Sequence, residues 1–198
     1  MTTATGVPAT RPSLLLRIRD PRDTQSWQDF VDVYGPLVYG YCRRRGLQDA
    51  DAAEVMQEVL LQVNRSMSAF DYHPDQGRFR HWLGAVIRSK LSRLYRRNHP
   101  ERANSLMDEF RSITRDTQWN EEFNRHLLQT ALEQIRPHFT DTTWCAFELV
   151  WVEGVPATDA AARLAEPLDR IYVAKSRVLK RLQAAVRELA DDAVLPDH

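Results

Sequence analysis

Only 2 of the 198 residues are cysteine, Cys42 and Cys145, and they stand far apart. That spacing excludes a zinc ribbon, which needs cysteines paired a few residues apart, and it gives no disulfide framework. Both lie in apolar patterns, so the expectation is two buried thiols in a reduced, cytoplasmic chain. An excess of one charge is also missing, because 27 Lys and Arg cancel 27 Asp and Glu. Net charge therefore announces no nucleic-acid partner, and only the local distribution can. No run approaches the roughly 20 apolar residues of a membrane span, and Met1 to Thr10 has neither the basic start nor the apolar stretch of a secretory leader. Catalytic motifs are absent as well: no P-loop, no GxGxxG and no G-x-S-x-G. The 6 histidines, His73, His81, His99, His126, His138 and His198, show no HExxH or paired metal spacing. Glu121-Glu122 near His126 makes a triplet of a kind that chance often supplies. No enzyme activity, metal or cofactor is expected.

What is present is helical periodicity. The 7 Gly and 10 Pro fall mostly between periodic segments, and no β-type alternation, fixed-period repeat or low-complexity block occurs. Residues 1–12 read as a disordered tail. Ser13 to Arg19 predicts a short helix. Thr24 is the expected cap of a helix striped by Trp27, Phe30, Val31, Tyr34, Leu37, Val38, Tyr41 and Cys42, with Pro36 as a possible kink. It should end at Arg43-Arg44-Arg45-Gly46, where cations suit the negative helix end and glycine supplies a left-handed cap. A second helix begins at Asp49 or Asp51, with Glu54 in a capping-box position and Val55, Met56, Val59, Leu60 and Val63 as its apolar face. A third runs from about Arg80 to Arg97 on Leu83, Val86, Ile87, Leu91 and Leu94. Residues 98–120 read as a polar linker with one short helix around Leu106 to Ile113. Beyond it come a helix from Glu121 stopped by Pro137, another from Thr140 or Asp141 closed by Gly154, and a pair, Ala157 to Leu164 and Leu168 to about Ala190, broken at Ala165-Glu166-Pro167.

Two stretches stand out. Between Arg78 and Arg97 there are seven bases (Arg78, Arg80, Arg88, Lys90, Arg93, Arg96, Arg97) and no acid, preceded by the polar loop Asp71-Tyr72-His73-Pro74-Asp75-Gln76-Gly77. Cations neutralise phosphates, and aromatic faces or pockets hold unstacked bases. The plainer reading makes Phe79, Trp82 and Leu83 core and the cations a wet surface. The last two helices fit a helix-turn-helix. Ile171, Ala174, Val178, Leu182, Ala185 and Leu189 mark the buried face, while Tyr172, Val173, Ser176, Arg177 and Lys180 mark another. An ordinary helical hairpin with a basic face stands beside that reading. The mildly acidic side of the second helix, Asp51, Glu54, Gln57 and Glu58, is either solvated or a docking surface.

These residues resemble bacterial sigma factors of the extracytoplasmic-function (ECF) group, over about Trp27 to Leu189. The first half is similar to the family's region two through Asp51-Ala52-Ala53-Glu54-Val55-Met56-Gln57-Glu58-Val59-Leu60, then Phe79-Arg80-His81-Trp82-Leu83, Val86-Ile87-Arg88 and Leu94-Tyr95-Arg96-Arg97. The second half is similar to region four through Glu153-Gly154, Ala161, Leu164, Ile171 and Ser176-Arg177-Val178-Leu179-Lys180-Arg181-Leu182. Phe70-Asp71-Tyr72, Gly77 to Leu83, and Val173 to Val178 resemble planctomycete members. Departures are Glu54 for Asp, Leu60 for Phe, Pro156 and Asp159 in place of Ser/Thr and Glu, and Glu166-Pro167 in the turn.

The resemblance implies an all-α chain of two small helical domains: region two over 13–97, a linker over 98–120 and region four over 121–198. It implies a non-catalytic factor that binds core RNA polymerase and directs it to promoters. Asp51, Glu54, Gln57 and Glu58 would dock on the polymerase. Asp71, His73, Gln76, Arg78 and Phe79 would capture an extruded base of the −10 strand, with Arg80, Arg88, Lys90 and Arg93 along its backbone. Asp169, Arg170, Tyr172, Val173, Ser176, Arg177 and Lys180 would read the −35 duplex. An anti-sigma factor or a regulatory kinase is a further implied partner. The alternative is a stand-alone dimeric helix-turn-helix regulator that binds palindromic duplex sites.

Overall fold

The computed structural model describes residues 13–67, 79–98 and 117–190. The described residues form eight α-helices and no strand: α1 (Leu14–Arg17), α2 (Thr24–Arg44), α3 (Asp49–Met67), α4 (Phe79–Asn98), α5 (Thr117–Ile135), α6 (Asp141–Phe147), α7 (Ala157–Leu164) and α8 (Leu168–Leu189). The expected tail, the loop carrying Asp71, His73, Gln76 and Arg78, and the short helix around Leu106 to Ile113 lie outside the described residues.

The cap of α2 is Asp23 rather than Thr24. Its carboxylate accepts the Ser26 N–H at 2.9 Å and the Ser26 hydroxyl as well, which satisfies orphan donors of the first turn better than a hydroxyl one residue later. Pro36 sits inside α2 on its exposed side. The far end closes as expected. Gly46 takes φ 82°, its N–H donates to Arg43 O at 3.0 Å, and Leu47 N–H donates to Cys42 O at 3.3 Å. That pair of bonds is a Schellman cap, and it turns buried Leu47 back against the core.

Helix α3 starts at Asp49, so Asp49 and Asp51 both lie in its first turn, where negative charge suits the helix dipole. The expected Asp51–Glu54 capping box does not form, because Asp51 is already inside the helix and the Glu54 carboxylate turns to Arg97 on α4. Helix α5 begins at Thr117, one turn before the expected Glu121, because Trp119 extends its apolar face. Trp119, Phe123, Leu127, Ala131 and Ile135 recur every fourth residue and all are buried.

After α5 a 3-10 turn at Arg136–His138 carries Pro137, and Thr140 caps α6 by accepting Thr143 N–H. A π-type turn, Glu148–Val152, extends α6 before Gly154 reverses the chain at φ 70°. Trp144, Ala146 and Phe147 face inward, which leaves Cys145 outward. The expectation of two buried thiols therefore holds for Cys42 and fails for Cys145. Between α7 and α8 the break falls on Ala165, at φ 52°, and Glu166 N–H bonds Ala161 O at 3.1 Å. All six residues expected on the inner side of α8 are buried there.

One apolar cluster runs through α1 to α6 and α8, from Leu14 to Ala190. A smaller one, built on Ala146, Ala160, Ile171 and Ala174, holds α7 against α6 and α8. The helices of the first half and those of the second thus share a core. Helix α5 lies against α2, α4 and α8.

Candidate nucleic-acid and protein interfaces

The basic helix α4 follows the loop outside the described residues. Its first residue, Phe79, has 0% exposure and packs edge-on to Tyr34 at 5.4 Å and to Phe30 at 6.1 Å. Trp82 is half-buried beside it at 5.6 Å. In this arrangement Phe79 is core, not an open platform for a base. The aromatic residues of α2 take it because a large ring at the helix start fills the corner between the two elements.

Arg80 is 6% exposed. Its guanidinium donates to Asn124 Oδ1 at 3.3 Å, and its backbone carbonyl accepts the Trp119 indole N–H at 2.8 Å. It points at α5 rather than at solvent, so the expected phosphate contact is not open to it in this arrangement. Arg88 is half-buried. Burial lowers its pKa from the ordinary value, against a smaller opposing effect of Tyr41. Lys90 is paired with Glu58 of α3 at 3.3 Å, while Arg93 is exposed.

Of the candidate polymerase-docking residues, Glu54 and Glu58 share a groove with these cations. Arg97 grips Glu54 with both arms, at 2.7 and 2.8 Å. That grip holds the Glu54 carboxyl below its ordinary pKa and raises that of Arg97. Glu54, Glu58, Lys90, Arg93 and Arg97 line a cleft of about 250 Å³ floored by Val55 and Leu94. Asp51 is half-buried and Gln57 is exposed. The acidic side of α3 and the basic side of α4 are therefore one mixed surface, with two of its carboxylates already neutralised by its cations.

The outer side of α8 is open. Tyr172 and Val173 are 56% and 54% exposed, and Ser176, Arg177 and Lys180 are exposed with them. Asp169 and Arg170 are exposed at the helix start, and Arg170 pairs with Glu166 at 3.0 Å. Exposed apolar side chains beside donors and cations at the start of the second helix of a helix-turn-helix are what base-edge and phosphate contacts require. The described residues hold no group of three His, Cys, Asp or Glu that suits a metal ion. None of their helices is long and apolar enough to cross a membrane.

The sequence reading missed the residues that join the halves. The sequence pattern places Trp119 in the linker, gives no signal at Gly84, and groups Glu122 and His126 only as part of a chance metal triplet. In the structure Glu122 is buried and accepts from Arg44 at 2.8 Å, and His126 Nε2 lies 2.6 Å from Val33 O. The fourfold spacing back from Ile135 to Trp119 was the available signal.

An all-helical chain with a cation-rich helix and an open helix-turn-helix face has the surfaces of a nucleic-acid-binding protein. Residues 30–101 match the sequence model of Sigma-70 region 2, which covers α2 from Phe30 onward and all of α3 and α4. The match supports a place among the sigma factors and a role in promoter-specific transcription, for which core RNA polymerase and promoter DNA are the implied partners.

Proposed function

We propose that this chain is a sigma factor of the extracytoplasmic-function kind, similar to planctomycete members, which binds core RNA polymerase and opens promoters. The observation that carries the reading is the Sigma-70 region 2 match falling on α2 to α4. The open face of α8 supports a second DNA reader. In this reading the α3 side of the mixed groove meets the polymerase. The loop carrying Asp71, His73, Gln76 and Arg78 takes an extruded −10 base, and Arg88 and Arg93 follow its backbone. Tyr172, Val173, Ser176 and Arg177 read the −35 duplex, with Lys180 on phosphate. Unpairing costs a few kcal/mol per base, offset by pocket and phosphate contacts. Core polymerase supplies the remaining grip, so the free chain binds promoter weakly.

Reconstitution tests this directly. The purified chain with core polymerase is expected to give specific transcripts from a promoter library. A chain that never associates with core polymerase, or that binds palindromic duplex tightly alone, rejects the proposal in favour of a dimeric regulator.

A further inference from the structure

We propose that Glu166 positions Arg170 to read a guanine at one base pair of the −35 duplex. The inference rests on the reading that α8 meets that duplex. It goes beyond it by giving one contact its base and by assigning a role to a residue of the turn.

Arg170, Val173 and Arg177 recur at helical spacing, so Arg170 stands one turn ahead of the open face on the same stripe of α8. Residues there reach base edges when the second helix of a helix-turn-helix enters a major groove. Arg170 is also a cation in the first turn of its helix. The dipole favours negative charge at that end, so helix stability does not account for it. Its guanidinium has a support in the turn. Nη1 donates to Glu166 Oε2 at 3.0 Å. The Arg170 side chain is 71% exposed and that of Glu166 only 25%, so the acid is held in while the base reaches out.

Glu166 is itself fixed by the turn. Its N–H bonds Ala161 O at 3.1 Å, Ala165 before it takes φ 52°, and Pro167 after it locks φ and leads into α8. Arg170 instead borders a cleft of about 330 Å³, across from Thr140, Thr142 and Thr143 at the start of α6. That space admits other rotamers, and the ion pair selects among them. Charge then decides between phosphate and base. From Glu166 to Arg170 two carboxylates, Glu166 and Asp169, stand against one guanidinium. They repel a phosphate, whereas a base edge carries no net charge. Guanine offers the paired O6 and N7 acceptors that a guanidinium fork matches, and a fork already oriented loses less freedom on binding.

The test uses the full chain with core polymerase on a promoter library randomised across the −35 element, with base preference at each position read over a salt series. The parent is expected to prefer guanine at one position. Arg170→Ala should lower that preference by roughly 5- to 150-fold. It should leave the other positions unchanged, and with them the slope of log affinity against log salt, because no phosphate contact is lost. Glu166→Ala should relax the same preference by a smaller factor. Glu166→Gln, whose carbonyl still accepts from Nη1, should restore most of it. Neither side chain is buried, so every variant is expected to keep the fold.

A loss spread evenly over all −35 sequences in Arg170→Ala, with the salt slope reduced by about 1, makes Arg170 a phosphate contact and overturns the proposal. So does a guanine preference that survives in Glu166→Ala, because a carboxylate that only steadies the turn changes binding to every sequence alike. Failure of the sigma reading looks different: the chain would then not join core polymerase at all. A holoenzyme whose −35 preference responds to Arg177→Ala, but to neither Arg170→Ala nor Glu166→Ala, keeps the sigma role and removes this pair.

Discussion

Single residues in this chain divide by burial more than by type. Phe79 is the sharpest case. Its place beside a run of cations reads equally as a stacking platform or as core, and only the packing against Tyr34 and Phe30 separates the two. Truncating a buried aromatic costs on the order of 3–5 kcal/mol, whereas truncating an exposed platform costs little. Phe79→Ala should therefore lower stability by about that much in urea titrations, and an unchanged midpoint would return Phe79 to the surface. The cysteines divide the same way. Desolvation pushes Cys42 up to about 12 from an ordinary 9.0, whereas Cys145 faces solvent. One thiol per native chain should react quickly with a thiol reagent, and the second only on unfolding. The sign of the pH dependence follows from the raised folded-state pKa. Below pH of about 9 both states keep the Cys42 proton, and as the pH rises toward about 12 only the unfolded chain releases it, so stability falls across that window. A Cys42→Ala chain should lose that component of the alkaline slope, and an identical slope would assign it elsewhere. Nothing local to Cys145 told it apart from Cys42. Both sit in apolar strings, and exposure was decided by which side of a short helix Trp144 and Phe147 claimed.

Helices were the legible scale, and the reasons can be named. Helix α8 carries its inner residues at helical spacing, and all six are buried where the spacing placed them. The end of α2 at Gly46 was readable because a left-handed φ there needs glycine. The turn before α8 was less readable, because its left-handed residue is Ala165 rather than glycine. The exposed side of α8 leads to a prediction that separates base contact from phosphate contact. Arg177 and Lys180 are both exposed, so replacing either with Ala should leave the fold unchanged. If Arg177 makes a good base contact, Arg177→Ala should weaken −35 duplex binding by about 1–3 kcal/mol and relax preference at one base pair. Lys180→Ala should weaken all duplexes alike and reduce the slope of log affinity against log salt by about 1. These effects are read by titrating duplex variants over a salt series with core polymerase present. Unchanged binding in both variants would reject this face as the −35 reader.

At the scale of the whole molecule the linker hid the decisive fact. A polar stretch between two periodic halves reads as a linker between two small domains and leaves open whether they pack together, because nothing in local periodicity reports what α5 packs against. That is a long-range property. Tyr34 of α2 reaches the last carbonyl of α8, and Phe123 of α5 lies 6.0 Å from the same ring. A core shared in this way makes a thermodynamic claim. Two domains that merely neighbour each other would melt independently, each with its own transition. Here the apolar cluster is continuous from α1 to α8, so losing either half exposes buried surface on the other, and the halves stabilise each other. Calorimetry of the full chain should then show one main transition whose van't Hoff and calorimetric enthalpies agree. Any early melting should be confined to α7, whose cluster is the small one on Ala146, Ala160, Ile171 and Ala174. Gly84→Leu in α4 sharpens the claim: a Cβ there would lie 2.9 Å from Nε1 of buried Trp119 on α5, and expelling the indole should divide the single transition into two without unfolding α4. Two well-separated transitions in the parent chain would mean that the halves fold alone. The shared core would then be too weak to couple them.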